Sequence, residues 1–283
     1  MRAVSEADAI RAFDAAAEKF DAMYGSPDLS GEWLRARFAL ALELLGGGPG
    51  EVLDAGMGPG RLTAELDQRG WTVWGVDGSA NMVSLARARV PRAADRLLEA
   101  RIERLPFGDD HFDAVVSTGV LGYVDDLEVA LRELTRVLRP RGRLVFSVGN
   151  GLAPLRVWRE RVVLPTARSL KRHAPVGRPA PYVHRRSPMP SRIEAILTGL
   201  GLDLEELHYL IPALLPDPLD HLFPRAALRL SRAADRLPGR TRPILALRIM
   251  VAARKSGRPR KTVPSRPGSA IGARGRPSRP LSP

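Results

Sequence analysis

The 283-residue chain has no cysteine. That excludes disulfides, thiolate metal sites and a cysteine nucleophile, no metal site is expected, and the cytoplasm becomes the expected address. Long apolar runs are missing too. No stretch of ~18 uninterrupted apolar residues occurs, so no transmembrane helix is expected. The opening segment MRAVSEADAIRAFDAAAEKF carries acids throughout, where a secretory signal would need an apolar block. Acids in turn are absent from 254–283 and number one, Glu160, in 156–192. What is present is a globular composition, 44% hydrophobic, sufficient for one large domain or one domain with additions.

The scarcity of acids in two places explains the formal net charge of +13. Residues 1–155 hold 18 Lys/Arg against 23 Asp/Glu, so this part is mildly acidic. Residues 156–192 hold 10 against 1, residues 193–253 balance at 7 and 7, and 254–283 add 9 basic residues alone. Basicity therefore sits in one internal segment and one tail. Nucleic acid is not a partner that this distribution suggests for the main body.

Strand and helix patterns alternate along the chain. Residues 6–45 read as helical, with a break at YGSPDLSGEW. GGGPG turns into a strand, EVLDA, and RLTAELDQRG reads as a helix closed by Gly70. WTVWGVD is a second strand, and SANMVSLARARV is a helix with Ser79 as N-cap. A poorly defined stretch then reaches ARIERLPF. FDAVVSTGVL reads as a buried parallel strand, LEVALRELTRVL as an amphipathic helix ending before Pro140, and GRLVFSV as the next strand. Later come SRIEAILTGLG, with Ser191 and Glu194 as a capping box, and two more strands in LDLEELHYL and ILALRIMVAARK.

Such alternation with short connections predicts a doubly wound α/β fold, a mostly parallel sheet with helices on both faces. Ligands of such sheets bind outside the carboxyl ends of the strands. The candidate positions after Asp54, at Asp77 and after Val116 all lie there.

EVLDAGMGPGRL places Gly56, Gly58 and Gly60 between a strand and a helix, a backbone that a ligand can approach closely. Three readings fit: a tight turn and nothing more, a dinucleotide site, or an S-adenosylmethionine site. The dinucleotide fingerprint wants a third glycine where Arg61 stands.

VLDAGMGPG, GVDGSANM, RIERLPFGDDHFDAVVS and LRELTRVLRPRGRLVFSV, in that order, resemble the class I S-adenosylmethionine-dependent methyltransferases, most of all the type 11 group. The resemblance covers about 13–150 and weakly 191–255. It implies a seven-stranded Rossmann-like methyltransferase fold with S-adenosylmethionine as cofactor. It divides the chain into an N-terminal helical lid (1–50), a cofactor-binding core (51–150), a basic inserted cap (151–190), the rest of the sheet (191–255) and a disordered basic tail (256–283).

By the same resemblance Asp54 lies near the cofactor's amino acid end, and Gly56, Gly58 and Gly60 leave room for its adenosyl and methionine portions. Asp77, beside Gly78, takes both ribose hydroxyls, a task suited to a carboxylate. Met82 packs on adenine or fills the helix core. Ile102 and Glu103 face the adenine, although Ala100 and Arg101 stand where the family often has Gly-Asp. Thr118 follows the fourth strand, and Tyr24, with Phe20 and Arg37, comes from the lid.

No catalytic residue is fixed by the sequence. Tyr123 stands near a position where the family often has histidine, and His184 is the candidate base from the cap. The expected partner is a small-molecule methyl acceptor, with oxygen the favoured atom and an anionic or lipid-linked substrate in view. Arg225, Arg229, Arg232 and Arg236 form one helical stripe and Leu219, Leu222, Ala226, Leu230, Ala233 and Leu237 another, whose apolar side either covers the sheet or lies on a membrane. Residues 218–237 and the tail are thus candidates for peripheral contact with an anionic membrane. The competing reading is a catalytically silent binding module recruited by its basic segments. A nicotinamide-dependent dehydrogenase is the third.

Overall fold

The computed structural model describes residues 5–27, 29–153, 187–210 and 242–257, with a few isolated positions between 223 and 233. Seven strands form one sheet in the order β3-β2-β1-β4-β5-β7-β6. They are β1 Glu51–Ala55, β2 Thr72–Asp77, β3 Leu97–Glu99, β4 Phe112–Ser117, β5 Leu138–Gly149, β6 Leu202–Leu210 and β7 Arg248–Lys255. The first five run parallel, while β7 is antiparallel to both β5 and β6. The chain switches direction of winding between β1 and β4, so their carboxyl ends splay into a crevice.

Period-two alternation decides which side chains go to which face. Val52, Val73, Ala114, Val116 and Val145 pack with Leu42 and Leu45 of α3 (Leu29–Leu45) and Leu62 and Leu66 of α4 (Arg61–Gln68). Leu53, Val76, Val115 and Phe146 take the other face. There they meet Leu131 and Leu134 of α6 (Leu127–Val137) and Ile193 and Leu197 of α7 (Pro190–Leu200). Met57, Val83, Ala86 and Leu97 make a third cluster around α5 (Ala80–Arg89). Helices on both faces of a mostly parallel sheet are what the patterning predicted.

Local chemistry sets most of the boundaries. The Ser79 hydroxyl accepts the Met82 amide and starts α5 as expected. Asp126 accepts from the amides of Glu128 and Val129 and starts α6, which ends at Val137, short of Pro140.

Four readings are corrected. The capping box of Ser191 and Glu194 does not form. Met189 occupies the N-cap and Pro190 the first helical position, since a proline there loses no hydrogen bond and has its φ preset. Ile244 and Leu245 of the last predicted strand belong instead to a short turn of helix, α8 (Arg242–Leu245), Ala246 and Leu247 lie in neither element, and β7 starts only at Arg248. β3 fell in the poorly defined stretch: three residues at the sheet edge, after a 3₁₀ turn over Pro91–Arg96, carry too little periodicity to read. The N-terminal helices break at Ala15 and Ala16 as well as near Pro27, giving α1 (Glu6–Asp14) and α2 (Ala17–Met23) ahead of α3.

Those two short helices dock at the carboxyl ends of the strands. Asp14 accepts from the Ser79 hydroxyl at 2.6 Å, the Asn81 amide at 3.0 Å and the Asn81 side chain at 3.1 Å. Asp21 pairs with Arg61 at 2.6 Å and with Arg89 at 2.8 Å, and Arg89 also donates to the Pro59 carbonyl. Glu6 pairs with Arg101. Three acids thus tie α1 and α2 to the glycine turn, α5 and the strand that follows.

Candidate active site

Asp77 ends β2 with each carboxylate oxygen holding one backbone amide, Gly58 on one side and Ser79 on the other, both at 2.9 Å. An ionised carboxylate has about four lone-pair positions, so each oxygen keeps capacity for a further donor. The residue is half-buried, and burial pushes its pKa up against the backbone amides of Ser79, Gly58 and Gly78, which lower it. A carboxylate held by backbone rather than by a cation, with free acceptor capacity, fits a neutral diol.

The three glycines of the turn all have positive φ, 79°, 55° and 76°. They serve different ends. A β-carbon at Gly56 would lie 2.6 Å from Val120 Cγ1, and one at Gly60 would lie 2.7 Å from Ala86 Cβ. Both therefore make room for the protein's own packing. At Gly58 nothing lies within 4 Å, so this is the bare position that faces open space. Gly78 is covered by α1, its missing β-carbon lying 2.7 Å from Ile10 Cδ1.

Asp54 is deeply buried, 1% exposed, and accepts from the Thr63 hydroxyl at 2.8 Å. Burial drives its pKa to about 7, the negative charge of Asp77 adds to the rise, and Thr63 and Arg37 oppose it. Two neighbouring carboxylates that both resist ionisation make a site suited to a ligand carrying positive charge. Tyr24, buried and stacked on Phe38 at 5.2 Å, senses Asp54 and Arg37 electrostatically; burial raises its phenol.

Met82 and Ile102 are buried at 2% and 4%. Met82 fills the core side of α5, and Ile102 belongs to the sheet's second face. Glu103 accepts the Asp125 amide through Oε1, while its buried Oε2 has no partner among the described residues. An orphaned acceptor there, beyond the end of β3, suits an amino donor on a ligand. Arg101 turns toward Glu6 of α1, with Asp125 at 3.8 Å, so the substituted position fastens an N-terminal helix.

Thr118 is buried at the end of β4, and the next residue, Gly119, donates its amide to the Ser147 hydroxyl at 2.8 Å. Tyr123 packs edge-on against Phe13 at 5.1 Å; Phe13 meets Phe20 at 5.5 Å, and Phe20 meets Tyr24 at 5.6 Å. A chain of four rings therefore joins the two helices to the loop after β4. His184 lies outside the described residues, as does most of 218–237, where Ala226, Arg229, Leu230 and Ala233 are helical.

Sequence reasoning passed over Asp14, Asp21, Trp33 and Arg248. The Arg37 guanidinium lies over the Trp33 indole, 5.0 Å from its centroid, and this contact had one readable signal: the two residues are four apart, about one helical turn.

A seven-stranded sheet with this strand order, an acid after β2 and a glycine turn after β1 define the Rossmann-like fold of S-adenosylmethionine-dependent methyltransferases. Residues 53–146 match the family model of the type 11 methyltransferase domain. The chain is 41% identical over 111 residues to a malonyl-[acyl-carrier protein] O-methyltransferase of Enterobacter lignolyticus, covering 38% of this chain and 43% of that protein. It is 41% identical over 121 residues to a demethylmenaquinone methyltransferase of Mycolicibacterium paratuberculosis, covering 41% and 50%. The chain thus spans about half the length of the curated relatives it matches. The fold superposes, with a TM-score of 0.53 and 21% identity, on an S-adenosylmethionine dependent methyltransferase of Mesorhizobium loti, covering 80% of this chain and all of that one. The family match removes the dehydrogenase reading, and the comparisons lend no support to a silent binding module.

Proposed function

We propose that the protein is an S-adenosylmethionine-dependent methyltransferase acting on an oxygen of a small-molecule acceptor, anionic or lipid-linked in character. The carrying observation is Asp77. It is a half-exposed carboxylate pinned by two amides beside the unobstructed face of Gly58, within a segment of the methyltransferase family. The malonyl O-methyltransferase among the relatives motivates oxygen as the acceptor atom.

The bound cofactor would supply a methyl already activated on a sulfonium. The chain's residues have the tasks of binding, alignment and water exclusion. In this proposal Asp77 takes the ribose hydroxyls and Glu103 Oε2 the adenine amino group. Asp54 faces the positively charged amino acid end, with Tyr24 beside it. The helices α1 and α2 close over the site, and Tyr123 and Thr118 border the acceptor. A cytoplasmic address, with peripheral membrane contact through 218–237 and the tail, belongs to the same proposal; no described helix is long and apolar enough to cross a membrane.

Calorimetric titration with S-adenosylmethionine and S-adenosylhomocysteine tests it. Saturable binding is expected, and Asp77→Ala should weaken it roughly 100-fold through loss of two hydrogen bonds to a charged group. Absence of binding, or equal binding by the variant, sinks the proposal.

A further inference from the structure

β7 starts at Arg248, and because β7 runs antiparallel to its neighbours this residue sits at the carboxyl end of the parallel strands. Its register partners are Gly149 at the end of β5 and Leu210 at the end of β6. A long side chain at a strand terminus usually reaches solvent, yet Arg248 is 6% exposed. Its guanidinium lies over the indole of Trp33, 4.9 Å from the ring centroid. Arg37, 4% exposed, lies over the same ring at 5.0 Å. Two buried cations share one indole.

The pair stands next to the site already described. Arg37 Nη1 lies 2.4 Å from where a β-carbon of Gly119 would be, which places that guanidinium against the turn that leaves β4. It also acts electrostatically on Asp54 and Tyr24. Arg248 is farther along the same carboxyl end of the sheet, where β7 pairs with β5 and β6. Its placement is fixed by Asn150, which is fully buried. The Asn150 side chain donates to the carbonyls of Pro243 and Ala246 at 2.7 and 2.8 Å, and its amide donates to Leu247. That clamp holds the turn leading into β7 against the end of β5 and so sets where Arg248 emerges.

Burying like charges together is costly, and a shared aromatic face recovers only part of that cost. Asp54 gives Arg37 a nearby negative charge. Among the described residues no carboxylate lies within ion-pair distance of Arg248. A planar guanidinium held rigidly at a ligand rim, flat on an indole, is built to take a carboxylate or phosphoryl group in a bidentate grip.

We infer that Arg248, stacked on Trp33, is the anion anchor of the acceptor subsite: the methylated molecule carries a carboxylate or phosphoryl group that docks on this guanidinium. The inference rests on the methyltransferase reading and names its substrate class. Arg248 orients the acceptor; it does not touch the reacting methyl.

Malonate and inorganic phosphate, each titrated at constant ionic strength against chloride into the S-adenosylhomocysteine complex, serve as probes, with binding read by calorimetry and thermal shift. Wild-type protein should bind at least one of them at millimolar concentration. Arg248→Met should lose that binding at least tenfold, Arg248→Lys should keep part of it, and both should bind S-adenosylhomocysteine within about twofold of wild type. Preference for malonate assigns a carboxylate, and preference for phosphate a phosphoryl group. If neither anion binds beyond chloride, or if Arg248→Met binds them as wild type does, the inference is overturned. Should Arg248→Met not fold, Trp33→Phe, which removes the larger indole face, gives the same reading through a severalfold loss. Failure of S-adenosylhomocysteine to bind wild-type protein would instead sink the methyltransferase reading, so the two failures are told apart.

Discussion

At the residue scale, Asp54 is where electrostatics makes the sharpest demand. Its pKa of about 7 is set first by burial. A carboxylate raised in the folded state holds its proton there while the unfolded chain has already lost it. The folded state therefore binds more protons between roughly pH 4 and 7, and this group's contribution to stability is present below that window and lost as pH rises through it. Asp54→Asn keeps an acceptor for the Thr63 hydroxyl and removes the ionisation. Without cofactor, the variant's unfolding free energy should match wild type near pH 4 and exceed it near pH 8 by roughly a few kcal/mol. Binding should behave oppositely. A cationic ligand end favours the ionised carboxylate, so wild-type affinity for S-adenosylmethionine should climb up to about pH 7 and then level off, while the variant stays flat. Calorimetry across that range checks both. The acids near the carboxyl ends of β1 and β2 were legible because strand ends and aspartates are both visible in sequence. The division of labour within the glycine turn was not. Only Gly58 faces open space, and the neighbours that occupy the other two positions, Val120 and Ala86, come from distant segments.

At the scale of elements, the strands and helices from 51 to 149 follow their periodicity and caps. Mismatches occur where a proline sits in the first turn of a helix (Pro190, Pro243) or where a strand is too short to alternate, as in β3. The docking of α1 and α2 was beyond sequence reasoning, since it depends on isolated acids meeting partners about 40 to 119 residues away. Asp21 is the hinge of that arrangement, because it holds Arg61 at the start of α4 and Arg89 at the end of α5 at once. Asp21→Ala leaves two guanidiniums near the glycine turn with no acid between them. The expected result is roughly tenfold weaker binding of S-adenosylmethionine, carried mainly by a faster off-rate, together with faster proteolysis within 5–27. An unchanged off-rate would show that α2 does not gate the site.

For the whole molecule, the uneven charge separates folding from any surface role. The sheet needs β7 intact to its last residue. Lys255 donates to the carbonyls of Leu138 and Thr135 at 2.6 and 2.8 Å and pairs with Asp110 at 2.7 Å, and Arg254 pairs with Glu205 of β6. A truncation that starts at Arg254 would therefore damage the edge of the sheet and confuse a lost surface charge with a lost fold. One that starts at Arg258 removes seven basic residues and no acid, while leaving β7 and its partners complete. The shorter chain should melt within a degree or two of the full one and bind S-adenosylmethionine equally well. Retention on anionic phosphatidylserine vesicles, if the tail serves a membrane, should fall at low salt and be abolished for both chains by about 0.5 M salt, as screening predicts. Equal retention of the two chains at low salt would move the membrane role from the tail to the internal segments. A matching loss of cofactor binding would instead make the tail part of the site.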